Sequence, residues 1–388
     1  MFSTRVPDDR RSNDLARALG AARARGPVID LTVSNPTRVG IDYPTDLLAG
    51  LSDAAALTYR LAPLGLREAR EAIAADYGRR GLRIQADRIV LTASTSEAYS
   101  ILFKLLCEPG RSSVLTPVPS YPLFDHLTRL DGVGQRRYAL EYHGRWTADL
   151  EGVDEAWTPD TRAVLAVSPN NPTGSVLRDG EADELTSRCA ARGAALILDE
   201  VFADYPLAEP FVEPRAFAAP RCLLCRLGGL SKSIGLPQVK LGWVALGGPS
   251  GIVAEALDRL ELICDTYLSV STPVQIAARS LLERGAAVRK QILDRLRGND
   301  ATLREAFADS CGATVLPADG GWSAVVRVPA TRSEEALVTE LIERDGVVVH
   351  PGYFFDFPHE AFLIVSLLPE PGVFARGVRL VRERLDAA

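Results

Sequence analysis

The chain has 388 residues, of which 47% are hydrophobic, and a formal net charge of −6 at pH 7. This length and hydrophobic content suit one large domain with a substantial core and a smaller second domain. The negative charge argues against a general binder of nucleic acid, and no apolar run reaches the ~18 residues that a membrane-spanning helix needs.

The N-terminus carries no apolar stretch typical of a signal peptide, which predicts a cytoplasmic protein. The negative charge and the lack of a long apolar run predict that it binds neither nucleic acid nor membrane. The cysteines lie mostly in apolar sequence and are predicted to be reduced core thiols. Cys222 and Cys225 form a C-x-x-C pair, but no second Cys or His pair stands at metal-binding spacing, so no metal site is expected. The cysteines are Cys107, Cys189, Cys222, Cys225, Cys264 and Cys311.

From about residue 65 to residue 245, predicted helices alternate with predicted strands. This alternation predicts a mostly parallel sheet with helices on both faces. The helices are predicted at 66–77, 96–107 and 180–192. The strands are predicted at 88–92, 113–116, 163–167, 194–198, 222–227 and 242–246.

A long helical stretch at 252–262 and 272–297 leads into a C-terminal region of short strands among helices. These strands are predicted at 314–316, 323–328, 347–350 and 361–367. We therefore predict an α/β fold with a three-layer α/β/α large domain at 46–270. A smaller α+β domain is predicted at 271–388, packed with an N-terminal segment at 1–45. Ligands of open α/β sheets bind at the carboxyl ends of the strands.

One lysine, Lys232, comes just after a predicted buried strand and a pair of glycines, Gly228 and Gly229. A lysine in a desolvated pocket loses part of its preference for the ammonium form. Its neutral amine can then form a Schiff base with a carbonyl group. A solvated lysine after a glycine turn is the alternative interpretation.

Three upstream residues at predicted strand-to-loop boundaries supply what a pyridoxal phosphate (PLP) ring requires. Asp199 would keep the pyridine nitrogen protonated, and Asn171 would donate to the phenolic oxygen from a rigid Asn-Pro turn of the kind that can adopt a cis peptide bond. Tyr121 would stack on the ring. The alternatives are a helix-capping aspartate, an ordinary turn and a core aromatic residue.

The phosphate of PLP needs an anion site, and the sequence offers one at the start of a predicted helix. Ser94, Thr95 and Ser96 bring hydroxyl groups and free backbone amides to this point. A plain Ser/Thr helix cap is the alternative. Ser231 and Lys240, which flank Lys232, are also expected to reach the phosphate.

This ordered set resembles the fold-type I, aspartate-aminotransferase-like superfamily of PLP enzymes, in its class I/II aminotransferase branch. The resemblance runs from about residue 30 to the C-terminus and includes Ser34-Asn35-Pro36, Tyr59 and Pro351-Gly352. It implies a homodimer with sites at the subunit interface, in which Tyr59 reaches the phosphate of the partner. It also implies that Ser34 and Asn35 line the substrate site.

The chain departs from the family pattern at several positions, including Gly229 in place of a serine and Ser94 in place of a glycine. Phe202 replaces a tyrosine that usually bonds the phenolic oxygen, and Tyr205 is not an assured replacement. Lys240 replaces an arginine, which keeps the charge but loses the bidentate fork. Ile364 stands where many members carry the arginine that holds the substrate α-carboxylate.

The sequence alone therefore does not identify the side chains that bind the substrate. Arg38 is expected to supply the missing positive charge, although a solvated loop arginine is the alternative interpretation. His350, Tyr353 and Phe355 are expected to line the mouth of the site, although Phe355 also fits a core position.

The predicted function is that of an aminotransferase that moves an amino group between an amino donor and an oxo acid or aldehyde, both small molecules. A lyase, decarboxylase or oxidase on the same Lys232 and Asp199 core is the alternative, because the same residues support all of these outcomes. A PLP-binding regulatory protein would require an appended DNA-binding domain, and the residues before about position 30 show no helix-turn-helix pattern.

Overall fold

The computed structural model of the chain describes residues 2–7, 14–310 and 312–387. The strands, in chain order, are β1 Ile29–Asp30, β2 Ile89–Thr92, β3 Ser113–Val118, β4 Gly134–Tyr142, β5 Trp146–Ala148, β6 Thr161–Val167, β7 Ala195–Asp199, β8 Leu224–Gly229, β9 Gly242–Gly247, β10 Thr314–Val315, β11 Ser323–Arg327, β12 Val347–Val348, β13 His350–Pro351 and β14 Phe362–Ser366. The α-helices are α1 Asp14–Arg25, α2 Arg67–Arg79, α3 Thr95–Leu106, α4 Leu123–Asp131, α5 Leu150–Ala156, α6 Asp179–Ala191, α7 Arg215–Ala218, α8 Leu230–Ser233, α9 Ser250–Tyr267, α10 Thr272–Arg284, α11 Ala286–Phe307, α12 Glu334–Glu340 and α13 Pro371–Asp386.

Within the described residues, eight strands form the large sheet in the order β2-β9-β8-β7-β6-β3-β4-β5. Only β9 and β5 run antiparallel to their neighbours, which confirms the predicted mostly parallel sheet. The central strands are apolar on both sides because helices cover both faces. Side chains of α3, α4 and α9 pack on one face, and those of α5 and α6 pack on the other.

The carboxyl ends of the parallel strands meet at one edge of the large sheet. Strand β7 lies between β6 and β8, with Asp199 opposite Val167 on one side and Leu227 on the other. The loops that follow these three strands therefore emerge next to one another, as expected for a ligand site of an open α/β sheet.

A smaller antiparallel sheet has the order β10-β11-β14-β13. The N-terminal strand β1 pairs in parallel with β12 of the C-terminal region. The stretch predicted as one strand at 347–350 is divided into β12 and β13, which pair with different partners. The domain division at 45/46 and 270/271 stays a prediction.

The predicted continuous helix at 272–297 is wrong, because α10 ends at Arg284 and α11 begins at Ala286. Gly285 separates the two helices, and an added Cβ there would lie 2.7 Å from the side chain of Ile234. Close approach of the Ile234 side chain to the backbone therefore accounts for glycine at the break.

No helix in the described part of the chain is long and apolar enough to cross a membrane. The cysteines of that part are all buried and unpaired, as the prediction of reduced core thiols requires. Cys311 lies outside the described residues.

Candidate active site

A cavity of about 330 Å³ lies where the carboxyl edge of the large sheet faces the small sheet. Residues from widely separated parts of the sequence meet there. The predicted site residues that line this cavity are Ser34, Thr95, Ser96, Tyr121, Asn171, Asp199, Phe202, Ser231 and Lys232.

Lys232 lies in the short helix α8, directly after β8, and its amine approaches two aromatic rings. The Nζ atom lies 4.7 Å from the ring centroid of Trp322 and 5.6 Å from that of Phe202. Burial lowers the pKa of Lys232 to about 8, while the carboxylate of Asp199 acts in the opposite direction. An appreciable fraction of the amine is therefore neutral near physiological pH, as attack on a carbonyl requires.

The turn that carries Lys232 is fixed through its backbone. The hydroxyl of Tyr205 donates to the carbonyl oxygens of Lys232 at 2.5 Å and Ser233 at 3.2 Å. The Nε–H of Arg289 donates to the Ser233 carbonyl at 2.9 Å. Tyr205 thus positions the turn that carries Lys232. Because its hydroxyl bonds this turn, Tyr205 does not replace the tyrosine hydroxyl that is missing at Phe202.

Asp199 ends β7 inside the cavity, and two donors hold its carboxylate. The backbone N–H of Val201 donates to Oδ1 at 3.0 Å, and the hydroxyl of Tyr99 donates to Oδ2 at 2.9 Å. Burial raises the pKa of Asp199 to about 6, although both hydrogen bonds act to lower it. The carboxylate is therefore fixed in orientation and mostly ionised at neutral pH.

Tyr99 was not predicted as a site residue, although it is almost fully buried and bonds the central carboxylate. We expect Tyr99→Phe to raise the pKa of Asp199 further and to weaken PLP binding about 10-fold, because a hydrogen bond to the charged form is lost. The dissociation constant of PLP, measured by absorbance titration, checks this. Tyr138→Phe is the matched control, since the buried Tyr138 hydroxyl donates to the backbone carbonyl of Leu165 instead. Equal affinities of the two variants would contradict a positioning role for Tyr99.

Asn171 lies in the loop after β6, and the Asn171–Pro172 peptide bond is cis. The hydroxyl of Ser323 donates to its Oδ1 at 3.2 Å, which orients the side-chain amide. The Nδ2 group has no hydrogen-bond partner among the described residues, and Asn171 lines the cavity. An amide donor is thus available to an oxygen of a bound ligand.

The N-terminus of α3 reaches the cavity, as expected for an anion site. Ser94 is its N-cap: the N–H of Glu97 donates to the Ser94 Oγ at 3.1 Å, and the N–H of Ala93 donates to a Glu97 carboxylate oxygen at 2.6 Å. Ser94 therefore acts as a helix cap, which is the alternative to the phosphate-binding role, and it does not line the cavity. Thr95 and Ser96 do line it and bring their hydroxyls to the positive end of the helix dipole.

Several predicted residues lie outside the lining of the cavity. Lys240 and Arg38 are exposed, and Asn35 caps a short 3-10 helix by accepting from the Thr37 N–H at 3.0 Å. Tyr353 is partly exposed next to the lining residues, and Tyr59 is 69% exposed in a separate groove. The residues of this set that do not line the cavity are Ser94, Asn35, Arg38, Tyr59, Lys240 and Tyr353.

Trp322 is the second lining residue that the sequence did not point to. Its ring packs against Phe202, with centroids 5.6 Å apart, and lies next to the Lys232 amine. His350, Phe355 and Ile364 also line the cavity. Of the three aromatic residues expected at the mouth, His350 and Phe355 line the cavity and Tyr353 does not, while Phe355 is at the same time buried.

The donors and charges of this cavity match the groups of PLP one by one. An amine of lowered pKa suits the aldehyde, a buried carboxylate suits the ring nitrogen, and an amide with a free donor suits the phenolic oxygen. A helix N-terminus with two hydroxyls suits the phosphate. The residues present therefore fit this cofactor.

Comparison with known proteins agrees with this chemistry. The sequence pattern of the family described as aminotransferase class I and II matches residues 41–370. The glutamate-pyruvate aminotransferase AlaA of Escherichia coli K12 is 25% identical over 349 residues, covering 88% of this chain and 86% of that protein. The S-alkyl-thiohydroximate lyase SUR1 of Arabidopsis thaliana is 30% identical over 225 residues, covering 57% of this chain and 48% of that protein.

A solved structure of an aminotransferase from Escherichia coli superposes with a TM-score of 0.87 at 22% identity, covering 100% of this chain and 98% of that chain. The predicted fold class is thereby confirmed. The match over residues 41–370 also confirms the predicted aminotransferase class. The chain belongs to the aminotransferase class I and II family.

Proposed function

We propose that the chain is a PLP-dependent aminotransferase that transfers an amino group between an amino acid or amine and an oxo acid or aldehyde. The observation that carries this proposal is the placement of the Lys232 amine and the Asp199 carboxylate in one cavity, each with a shifted pKa. Both shifts come from burial, and strongly shifted groups in a cleft are typical of catalytic sites.

In this proposal the chain's own residues hold the cofactor at five points. Lys232 binds it covalently, Asp199 pairs with its ring nitrogen, and Asn171 donates to its phenolic oxygen. Tyr121, half exposed at the cavity mouth, covers the ring face. The phosphate is held at the N-terminus of α3. The residues assigned to the phosphate are Thr95, Ser96 and Ser231.

PLP, when bound, supplies an electron sink that stabilises negative charge on the amino-bearing carbon of the substrate. Lys232, once its Nζ is free, removes the proton from that carbon and returns a proton during transfer, which a pKa near 8 allows. Asp199 keeps positive charge at the ring-nitrogen end of the cavity. The aromatic rings of Phe202 and Trp322 exclude water around the Lys232 amine.

A lyase, decarboxylase or oxidase outcome is the second candidate, and the partial similarity to the lyase SUR1 favours keeping it. Single-turnover reactions without an acceptor separate the candidates. A transaminase converts the bound cofactor from its aldehyde to its amine form and releases an oxo product. Release of ammonia or carbon dioxide, with the cofactor returned to its aldehyde form, would support the second candidate instead.

We also propose that the chain works as a homodimer. Apolar side chains stand exposed around Tyr59: Leu61 and Leu268 line the same groove and are 63% and 58% exposed. Exposed apolar groups that share one groove are typical of a protein interface. Tyr59 in this groove is proposed to reach the phosphate of the partner.

The dimer is tested with Leu61→Asp, which places a charge in the groove. We expect this variant to have half the wild-type mass by light scattering and to bind PLP at least about 10-fold more weakly, because the partner's hydrogen bond to the phosphate is lost. Val212→Asp is the control, since Val212 is 87% exposed in a different region. A monomeric wild-type protein would contradict the proposal.

The cytoplasm is the proposed location. Buried, unpaired cysteines in the described part of the chain support it, because disulfides are rare in reducing compartments.

A further inference from the structure

The wall of the cavity that comes from the small sheet is apolar at its centre. Ile364 of β14 lies between Val325 of β11 and His350 of β13, which are its register partners, and it is only 1% exposed. Phe355 and Trp322 continue the same lining. The part of the cavity lined by these residues of the small sheet therefore presents hydrocarbon and aromatic surface to a substrate.

Three hydroxyl groups of this wall already donate their hydrogens within the protein. The Ser366 hydroxyl donates to the Val33 carbonyl at 2.6 Å, and the Ser323 hydroxyl donates to the Asn171 Oδ1 at 3.2 Å. The Thr32 hydroxyl donates to an Asp30 carboxylate oxygen at 2.5 Å. None of these three hydrogens is free for an anion bound at the wall.

The wall also lacks a permanent positive charge. No arginine lines the cavity in the part of the chain that the structure describes, and its basic residues are Lys232 and His350. Burial lowers the pKa of His350, against the influence of the nearby Asp30. The rings of Phe354 and Phe355 flank the imidazole, with centroids 5.6 and 5.7 Å from its own.

A carboxylate placed against this wall would lose its hydration and meet no arginine among the described residues, and the exposed Ser34 hydroxyl is a single neutral donor that leaves its charge uncompensated. From this we infer that the substrates lack a carboxylate on the amino-bearing carbon. The donor is a primary amine with an aromatic or aliphatic substituent, and the acceptor is an aldehyde or ketone. This inference rests on the proposed aminotransferase function and narrows its substrate class.

The reaction balances in the same way as amino-acid transfer. The carbon–nitrogen bond of the donor is broken, and the carbon gains oxygen from water to become an aldehyde, which is a two-electron oxidation. The aldehyde carbon of the cofactor is reduced by the same two electrons as it takes up the amino group. In the second half-reaction the acceptor carbonyl is reduced to an amine, and the cofactor aldehyde is restored.

The test compares substrates that differ only by the carboxylate. The PLP-loaded wild-type protein is mixed with 2-phenylethylamine or L-phenylalanine, and with 3-methylbutylamine or L-leucine, and the conversion of the bound cofactor is followed by absorbance. We expect kcat/KM for each amine to exceed that for its amino acid by about 10- to 100-fold. A preference for the amino acids overturns the inference and leaves the aminotransferase function standing. An arginine supplied to the site by a second copy of the chain would produce that result. If no compound of either class converts the cofactor, the proposed function itself fails.

A binding measurement adds a readout that does not depend on turnover. Calorimetry with 3-phenylpropan-1-ol and 3-phenylpropanoate is expected to give the alcohol the lower Kd. Ile364→Arg is expected to reverse the preference, so that L-phenylalanine reacts faster than 2-phenylethylamine. Ile364→Met is the control, because it adds a long side chain without a charge and should keep the wild-type preference. Because Ile364 is buried, the melting temperature of each variant is recorded, and the wild-type comparison remains decisive if the arginine variant does not fold.

Discussion

Lys232→Ala is expected to abolish covalent attachment of PLP and to lower the rate of amino-group transfer by at least about 10³-fold. Two functions are lost together, since Lys232 is the proposed attachment point and the proposed proton carrier at the substrate carbon. The amine is suited to both because burial lowers its pKa to about 8. Borohydride reduction followed by peptide mass analysis measures the attachment, and single-turnover absorbance measures the transfer.

The other lysines of the chain provide matched controls for this experiment: Lys104, Lys240 and Lys290. Lys290→Ala should leave both attachment and rate unchanged, because Lys290 is exposed and pairs with Asp294 at 2.6 Å. Lys240→Ala should also leave attachment at Lys232 unchanged, because Lys240 is exposed and lies outside the cavity lining. Reductive labelling of any lysine other than Lys232 in the wild-type protein would contradict the assignment.

The residues of the cavity that could be predicted from sequence share one property. Asp199, Asn171 and Lys232 each follow an apolar run, and parallel strands deliver such positions to a common edge. The strand-to-loop boundary is visible in a single sequence because both the run and the polar residue after it are local features. Their convergence then follows from the right-handed parallel connections of the fold.

Tyr99 and Trp322 could not be found in this way, since their roles depend on packing between distant elements. Tyr99 lies on the buried face of α3, where a tyrosine indicates core, and its bond to Asp199 depends on how α3 crosses the sheet. Trp322 precedes β11 of the small sheet, and its place beside Lys232 depends on how the two sheets face each other. No periodicity in the sequence encodes either distance.

The region between β3 and β6 is one for which the sequence analysis predicts no helix or strand. Strand β4 pairs with β3 on one side but only with the short β5 on the other, so much of it is exposed. Its sequence is accordingly mixed, with Arg136 and Arg137 inside the strand. Apolar runs identify central strands, whereas strands near a sheet edge carry polar residues that hide them.

Asp199→Asn is expected to lower the rate of amino-group transfer by about 10²- to 10³-fold while leaving the covalent bond to Lys232 intact. The amide keeps the shape of the side chain but removes the negative charge that holds the ring nitrogen protonated. Asp199→Asn therefore lowers the transfer rate but keeps the covalent attachment of PLP, whereas Lys232→Ala loses both. Single-turnover absorbance with borohydride trapping distinguishes the two patterns. Asp294→Asn is the control, because Asp294 is an exposed aspartate that pairs with Lys290 and does not line the cavity.

The same substitution has a second consequence in the cofactor-free protein, through the pH dependence of stability. The pKa of Asp199 is about 6 in the fold and about 3.9 when unfolded, so the folded state holds a proton between these values that the unfolded chain has released. Stability is therefore lost as the pH rises from about 4 through 6, by about 3 kcal/mol for this group. Asp199→Asn should remove that loss, and urea unfolding at pH 4 and pH 7 measures it. An identical pH dependence in both proteins would show that the buried carboxylate is not held as the fold implies.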